Sequence, residues 1–172
     1  KITFAIASLG ALFAVSGTTT WYFSQQIEQE LREIDDTARQ ITTDDMRLAL
    51  VIKDIQINVI QVQQWLTDIS ATRGLDGLDD GFKAASEQAE AFARNVDTAL
   101  AISGKRKMAA VSAALAQTRE AFPPYYAMGR KMAENYIAGG PASGNKTMGE
   151  FDGVAEAIQK RLGTLREAAD AA

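Results

Sequence analysis

Apolar residues recur at alternating steps of four and three along the first half of the chain: Ile27, Leu31, Ile34, Ala38, Ile41, Leu48, Ile52, Ile55, Val59, Val62, Leu66 and Ile69, with Asp45 breaking the series. That spacing is the seam of a heptad-patterned helix, sustained for about six repeats. Upstream, residues 2–23 hold no charged side chain and are rich in Ile, Phe, Ala, Leu and Val. As a helix they span about 33 Å, the thickness of a bilayer's hydrocarbon core. The seam begins directly after them with no Pro/Gly linker, so the pattern predicts one unbroken helix from the membrane segment to about residue 71. Leu50, Val51, Ile57 and Ile60 add a second apolar face. A helix greasy on two sides serves two partners, its own bundle and another subunit.

The stretch Arg73-Gly74-Leu75-Asp76-Gly77-Leu78-Asp79-Asp80-Gly81 carries the breakers that end this rod, with Asp79 or Asp80 as N-cap of the next helix. A second stripe of Phe82, Ala85, Ala89, Phe92, Val96 and Ala99 closes at Ser103-Gly104 and predicts a helix over 82–103. Met108, Val111, Leu115, Phe122, Tyr125, Met132 and Tyr136 mark a third, over 105–138. Residues 139–144, rich in glycine, read as a loop. Thr147 and Glu150 then have capping-box spacing ahead of Phe151, Ala155, Ile158, Leu162, Leu165 and Ala169, which predicts a fourth helix over 147–172.

Three short connections between four such helices imply antiparallel neighbours. The predicted fold class is all-α: an up-down-up-down four-helix bundle whose first helix is continuous with an N-terminal transmembrane helix. Residues 1–24 form the membrane segment and 25–172 the sensor domain. The first helix extends about 70 Å beyond the membrane and the fourth only about 39 Å, so a second membrane segment is expected beyond Ala172. Pro123-Pro124 removes two N–H donors from the third helix and pushes Phe122 toward an extended conformation, which predicts a kink or wide turn. The bend is either a tolerated one in a long surface helix or a local opening that admits a ligand.

Trp21, Tyr22 and Phe23 suit an interfacial aromatic belt, and Lys1 suits the cytoplasmic flank. The chain after Phe23 is therefore expected outside the cytoplasm, on the periplasmic side of a bacterial inner membrane. The first residue is not Met, which suggests a preceding cytoplasmic stub. A cleaved secretory signal is the rival, since Ala14-Val15-Ser16-Gly17 follows an apolar run. Against it, the uncharged stretch continues into the aromatic cluster and helical patterning starts at Gln25.

Eighteen basic and 22 acidic residues among 172 are interspersed, giving a formal charge of −4 with no basic patch, so nucleic acid is not an expected partner. With neither histidine nor cysteine, disulfides, thiolate chemistry, sulfur-rich zinc sites and the commonest general base are excluded. No motif combines a nucleophile, a base and an orienting partner, so the expectation is a non-enzyme without cofactor.

An N-terminal membrane helix leading into such a bundle, with a last helix aimed back at the membrane, resembles the sensor half of methyl-accepting chemotaxis proteins. Residues 61–74, Gln61-Val62-Gln63-Gln64-Trp65-Leu66-Thr67-Asp68-Ile69-Ser70-Ala71-Thr72-Arg73-Gly74, resemble that superfamily, as does Tyr136-Ile137-Ala138-Gly139-Gly140-Pro141 leading to Gly144-Asn145-Lys146. The architectural likeness covers the whole chain, while no short motif is diagnostic. The resemblance implies signal transduction in chemotaxis: a homodimer through the first helix, a second transmembrane helix, a HAMP relay and a cytoplasmic hairpin coupled to the chemotaxis kinase. In the best-known members, first-helix arginines grip an amino-acid carboxylate across the dimer. Here Arg39 and Arg47 lie nearer the membrane and Arg73 at the extreme tip, so an amino-acid ligand is not implied.

Topology brings the ends of helices one and three and the starts of two and four to the membrane-distal tip. Gln64, Trp65, Asp68, Thr72 and Arg73 come from the first helix, Tyr125, Arg130, Asn135 and Tyr136 from the third, and Asn145 and Lys146 from the start of the fourth. Arg73, Arg130 and Lys146 are candidates to hold a small carboxylate or other anion, with Trp65, Tyr125 and Tyr136 closing the apolar sides. The bland alternatives are a solvated Arg73 paired with Asp76, core aromatics and a turn asparagine. Asp76, Asp80, Gly81 and Glu87 also fall in an EF-hand-like frame, spoiled by Leu78 at a ligand position. The same module on a histidine kinase or cyclic-nucleotide enzyme, or a ligand-free coiled-coil anchor, fits the sequence too.

Overall fold

The structure, a computed structural model, describes the backbone of residues 2–172 except Asp79, and the side chains of residues 21–172 except Asp76 and Asp79. The fold is all-α. Helix α1 spans Ile2–Thr72, α2 spans Gly81–Lys105 and α3 spans Ala109–Asp170, with a single 3₁₀ turn at Leu75–Gly77 after α1. Contacts divide the chain into two units, Lys1–Asp44 and Asp45–Ala172.

The first unit is the leading part of α1 by itself. Its seam faces solvent: Ile27, Leu31 and Ile34 are 55, 59 and 64% exposed. The helix is laced by the i,i+4 ion pairs Arg32–Glu28 and Arg39–Asp35 and by Thr37, Thr42 and Thr43 hydroxyls bonded back to carbonyls one turn earlier. Among the described residues no helix is long and apolar enough to cross a membrane. The segment expected to do so, residues 2–23, lies outside the described side chains for all but its last three residues.

In the second unit the same stripe becomes the core. Leu48, Ile52, Ile55, Val59, Val62, Leu66 and Ile69 are each at most 5% exposed. They join Ala85, Phe92, Val96 and Ala99 of α2 with Val111, Leu115, Tyr125, Met132, Phe151, Ile158 and Leu165 of α3 in one apolar cluster. Two positions back along α1, Met46, Leu50, Ile57 and Ile60 form a second stripe and remain exposed. An aromatic layer crosses the middle of the unit. Phe122 stacks on Phe92 at 3.9 Å between ring centroids, and Tyr125 lies 5.5 Å from Phe151.

The structure departs from the sequence expectation at several places. α2 continues through Gly104 to Lys105, and the reversal falls on 106–108, where Lys107 adopts a left-handed φ of 57°. α3 therefore starts at Ala109 instead of residue 105. The expected kink at Pro123-Pro124 is absent, since helical φ/ψ persist through both prolines. Both prolines are exposed while Phe122 and Tyr125 on either side are buried, so the missing N–H bonds fall on the outer side of the helix and the core contacts hold it.

The loop expected over 139–144 shrinks to one residue. Gly140 alone leaves helical geometry, at φ 59°, ψ −158°. Only glycine takes that conformation without strain, and Pro141 follows at the first helical position, where its absent N–H costs nothing. The capping box is consequently not formed: Thr147 lies inside the helix, and its hydroxyl donates to the Gly144 carbonyl at 2.9 Å.

Gly144 is required for a different reason, because a methyl group there would overlap the Tyr136 ring, whereas Gly149 and Gly153 have open space around them. Gly144→Ala should lower unfolding free energy by about 1–3 kcal/mol. Gly149→Ala and Gly153→Ala should each raise it by about 0.5–1 kcal/mol, read from urea midpoints.

Candidate functional site

Of the candidate residues, Thr72, Arg73, Tyr136 and Asn145 lie where α1 ends and α3 breaks. The last turn of α1 stops because Arg73 and Gly74 both enter the left-handed region, at φ 52° and 66°. The Arg73 N–H closes that turn on the Ile69 carbonyl at 2.7 Å, and the Thr72 hydroxyl donates to the Leu78 carbonyl at 3.3 Å. This directs the exposed Arg73 side chain toward the break in α3. Its Nη1 lies 3.4 Å from where a Cβ on Gly140 would stand.

Across the break, side chains pair around the short reversal. The Tyr136 hydroxyl donates to Asn145 Oδ1 at 2.5 Å, and Asn135 Nδ2 donates to Thr147 Oγ1 at 3.4 Å. Tyr136 is itself buried at 5% exposure, so its hydroxyl is tied to the polar rim while its ring packs on Gly144. Farther back, Lys131 reaches Glu150 at 3.4 Å.

The other candidates divide by environment. Arg130 lies 5.3 Å over the Phe82 ring and 3.4 Å from Glu134, so it is engaged by α2 and its own helix. Gln64 accepts from Gln61 at 3.1 Å, Trp65 is half-buried, and Asp68 and Lys146 are exposed. Tyr125 belongs to the core: it is fully buried, and its hydroxyl donates to the Val59 carbonyl of α1 at 2.8 Å. Burial holds its phenol above the ordinary tyrosine range, against the smaller opposing effect of a backbone hydrogen bond at Gln63. The structure thus joins Tyr136 with Asn145 and sets Arg73 beside Gly140, while Arg130 and Tyr125 are committed elsewhere.

Among the described residues no group of three or more acidic side chains is arranged to hold a metal ion. Asp76, in the EF-hand-like frame, lies outside the described side chains. Two polar features escaped the sequence reading. Asn58 of α1 bonds to Gln88 and Asn95 of α2, and Arg106 forms a fork with Asp45 through bonds of 2.9 and 3.0 Å. The clues were an amide inside the run Ile55-Gln56-Ile57-Asn58-Val59-Ile60 and the Asp45 interruption of the seam.

No family model matches the chain, and no curated protein or solved structure does so either. The functional reading therefore rests on the residues.

Two substitutions probe this end. Arg73→Gly relieves a left-handed non-glycine residue and should stabilise the fold by up to about 1 kcal/mol, whereas Arg73→Ala keeps the strain; thermal midpoints separate them. Tyr125→Phe removes the hydrogen bond to Val59 and should cost about 1 kcal/mol at neutral pH. The buried phenol's contribution is complete below the ordinary value of 10.0 and is lost as pH climbs above it, because only the unfolded chain readily releases that proton. Wild-type midpoints should fall more steeply than those of Tyr125→Phe in that alkaline range.

Proposed function

We propose that this chain is the ligand-sensing, extracytoplasmic portion of a bacterial transmembrane chemoreceptor of the methyl-accepting kind. It acts by binding and displacement, without catalysis. Residues 2–23 anchor it in the inner membrane, and residues 45–172 form a periplasmic up-down-up-down four-helix bundle, with the break at Gly140 separating the third helix from the fourth.

The antiparallel order is supported by how contacts number themselves. Between α1 and α2, Ile69 meets Gly81, Asn58 meets Gln88 and Asn95, and Asp45 meets Arg106. Partner numbers fall on one helix as they rise on the other. The same holds from Phe92–Phe122 to Ser103–Ser112 between α2 and α3, and from Tyr136–Asn145 to Gln117–Arg161 across Gly140.

The observation that carries the receptor reading is the apolar seam of α1. Its later half is the spine of a core, while Ile27, Leu31, Ile34 and Ile41 continue the same heptad phase with their faces in water. Such a stripe is self-complementary, so a second copy of the chain is the partner that covers it. Ligand is bound where Arg73 meets the start of the fourth helix, and a small carboxylate or other anion suits that guanidinium. Binding there biases the packing of the fourth helix against the first, and the shift is passed along toward the membrane.

Two measurements test this. Sedimentation of the full chain in detergent should give a dimer, reduced to monomer by Leu31→Glu with Ile34→Glu; a monomeric parent refutes the shared seam. A panel of small carboxylates, each held near 100-fold above its dissociation constant, should contain a member that raises the melting midpoint by about 5–10 °C. Arg73→Ala should abolish that rise, whereas Arg130→Ala, whose guanidinium lies over Phe82 and beside Glu134, should leave it in place. If no member acts, or if Arg73→Ala responds like the parent, the ligand site is refuted.

A further inference from the structure

Asn58 is a full amide buried to 7% exposure beside a stripe of Ile and Val. Burying an amide is tolerable only when its hydrogen-bonding groups find partners. Both ends of this one are engaged by α2. Its Nδ2 donates to Gln88 Oε1 at 2.9 Å, and its Oδ1 accepts from Asn95 Nδ2 at 2.9 Å. Gln88 and Asn95 lie one heptad apart on α2 and are half-buried, so they bracket Asn58 from above and below along the helix axis.

Packing also bears on this alignment, through Phe92 and Val96 in the core and through Gly81, which lies close against Ile69 and the Trp65 carbonyl. Between those points the α2 stripe presents Ala85, Ala89 and Ala99, small knobs that discriminate weakly between neighbouring holes of a heptad seam. The ion pair between Arg106 and Asp45 uses a long side chain at a partly exposed position, which can follow a displaced partner. A slip of one turn, about 5 Å, would keep apolar residues on apolar residues. It would strip both bonds from the Asn58 amide and leave it buried.

We infer that the Asn58–Gln88–Asn95 amide relay is a register lock, the contact that fixes the axial alignment of α1 against α2. The inference stands apart from the receptor reading, since it follows from the α1–α2 interface alone. Within that reading it makes α1 and α2 a single rigid pair, so that any displacement along the axis occurs between this pair and α3.

The chain contains no cysteine, so paired spin labels can be introduced cleanly. Labels at Lys53→Cys and Lys83→Cys, both exposed and offset along the axis, report sliding of α1 on α2. In the full chain, reconstituted in lipid nanodiscs, the parent should give one narrow distance. Asn58→Leu, which replaces the amide with an apolar group of similar size, should add a population displaced by about 5 Å. The double variant Gln88→Leu with Asn95→Leu should add the same population, because it orphans Asn58 while altering only half-buried positions. Should Asn58→Leu lose its helicity, the double variant decides. A single, unshifted distance in either folded variant overturns the lock.

Discussion

The fold depends on one constraint: α1 must hide a stripe of branched aliphatic side chains, and only the other helices of its unit are there to hide it. From Leu48 to Ile69 each member of the stripe is almost completely buried, and each burial of a Leu, Ile or Val side chain is worth about 1.5–3 kcal/mol. Everything else in residues 45–172 is arranged around that spine. α2 supplies small residues and Phe92, and α3 supplies two arms of large ones. The hydrogen bond from Tyr125 to the Val59 carbonyl adds a polar contact between α3 and the spine within the aromatic layer.

Close approach governs one end of this unit and polar clasps the other. At the α1 terminus, Gly129 lies against Leu66 and Phe151, and Gly144 lies under the Tyr136 ring. Backbone and side chain meet there with no spare volume. At the opposite end Arg106 grips Asp45, and two clefts of about 340 and 350 Å³ flank the alanine-rich last turns of α3.

Periodicity made the helices legible, because a heptad stripe is a repeated statement about one buried face. The buried members of α1, α2 and both arms of α3 are largely those the spacing predicts. Single-residue punctuation was less legible. The glycine-rich stretch over 139–144 reads as a loop, yet Gly139 and Gly144 remain helical, the latter to admit an aromatic ring. Gly104 looks like a terminator but sits within α2, while the chain turns at Lys107, a residue with no steric licence for positive φ. The Thr147 capping signal was real chemistry in another form, a hydroxyl bonded within the helix. Of the candidate site, the Tyr136–Asn145 pair and the place of Arg73 follow from the predicted topology. The engagement of Arg130 with Phe82, the depth of Tyr125 and the Asn58 relay depend on side-chain directions that spacing does not encode.

The proline pair in α3 has a consequence for how that helix meets water. With no N–H at Pro123 and Pro124, the carbonyls of Arg119 and Glu120 have no donor one turn ahead. Both residues are exposed, as are the two proline rings. A short strip of unclaimed acceptors therefore runs along the outside of the helix, directly behind the Phe122 and Tyr125 rings. Solvent must complete the main chain there, so at this level the hydration shell is part of the helix wall.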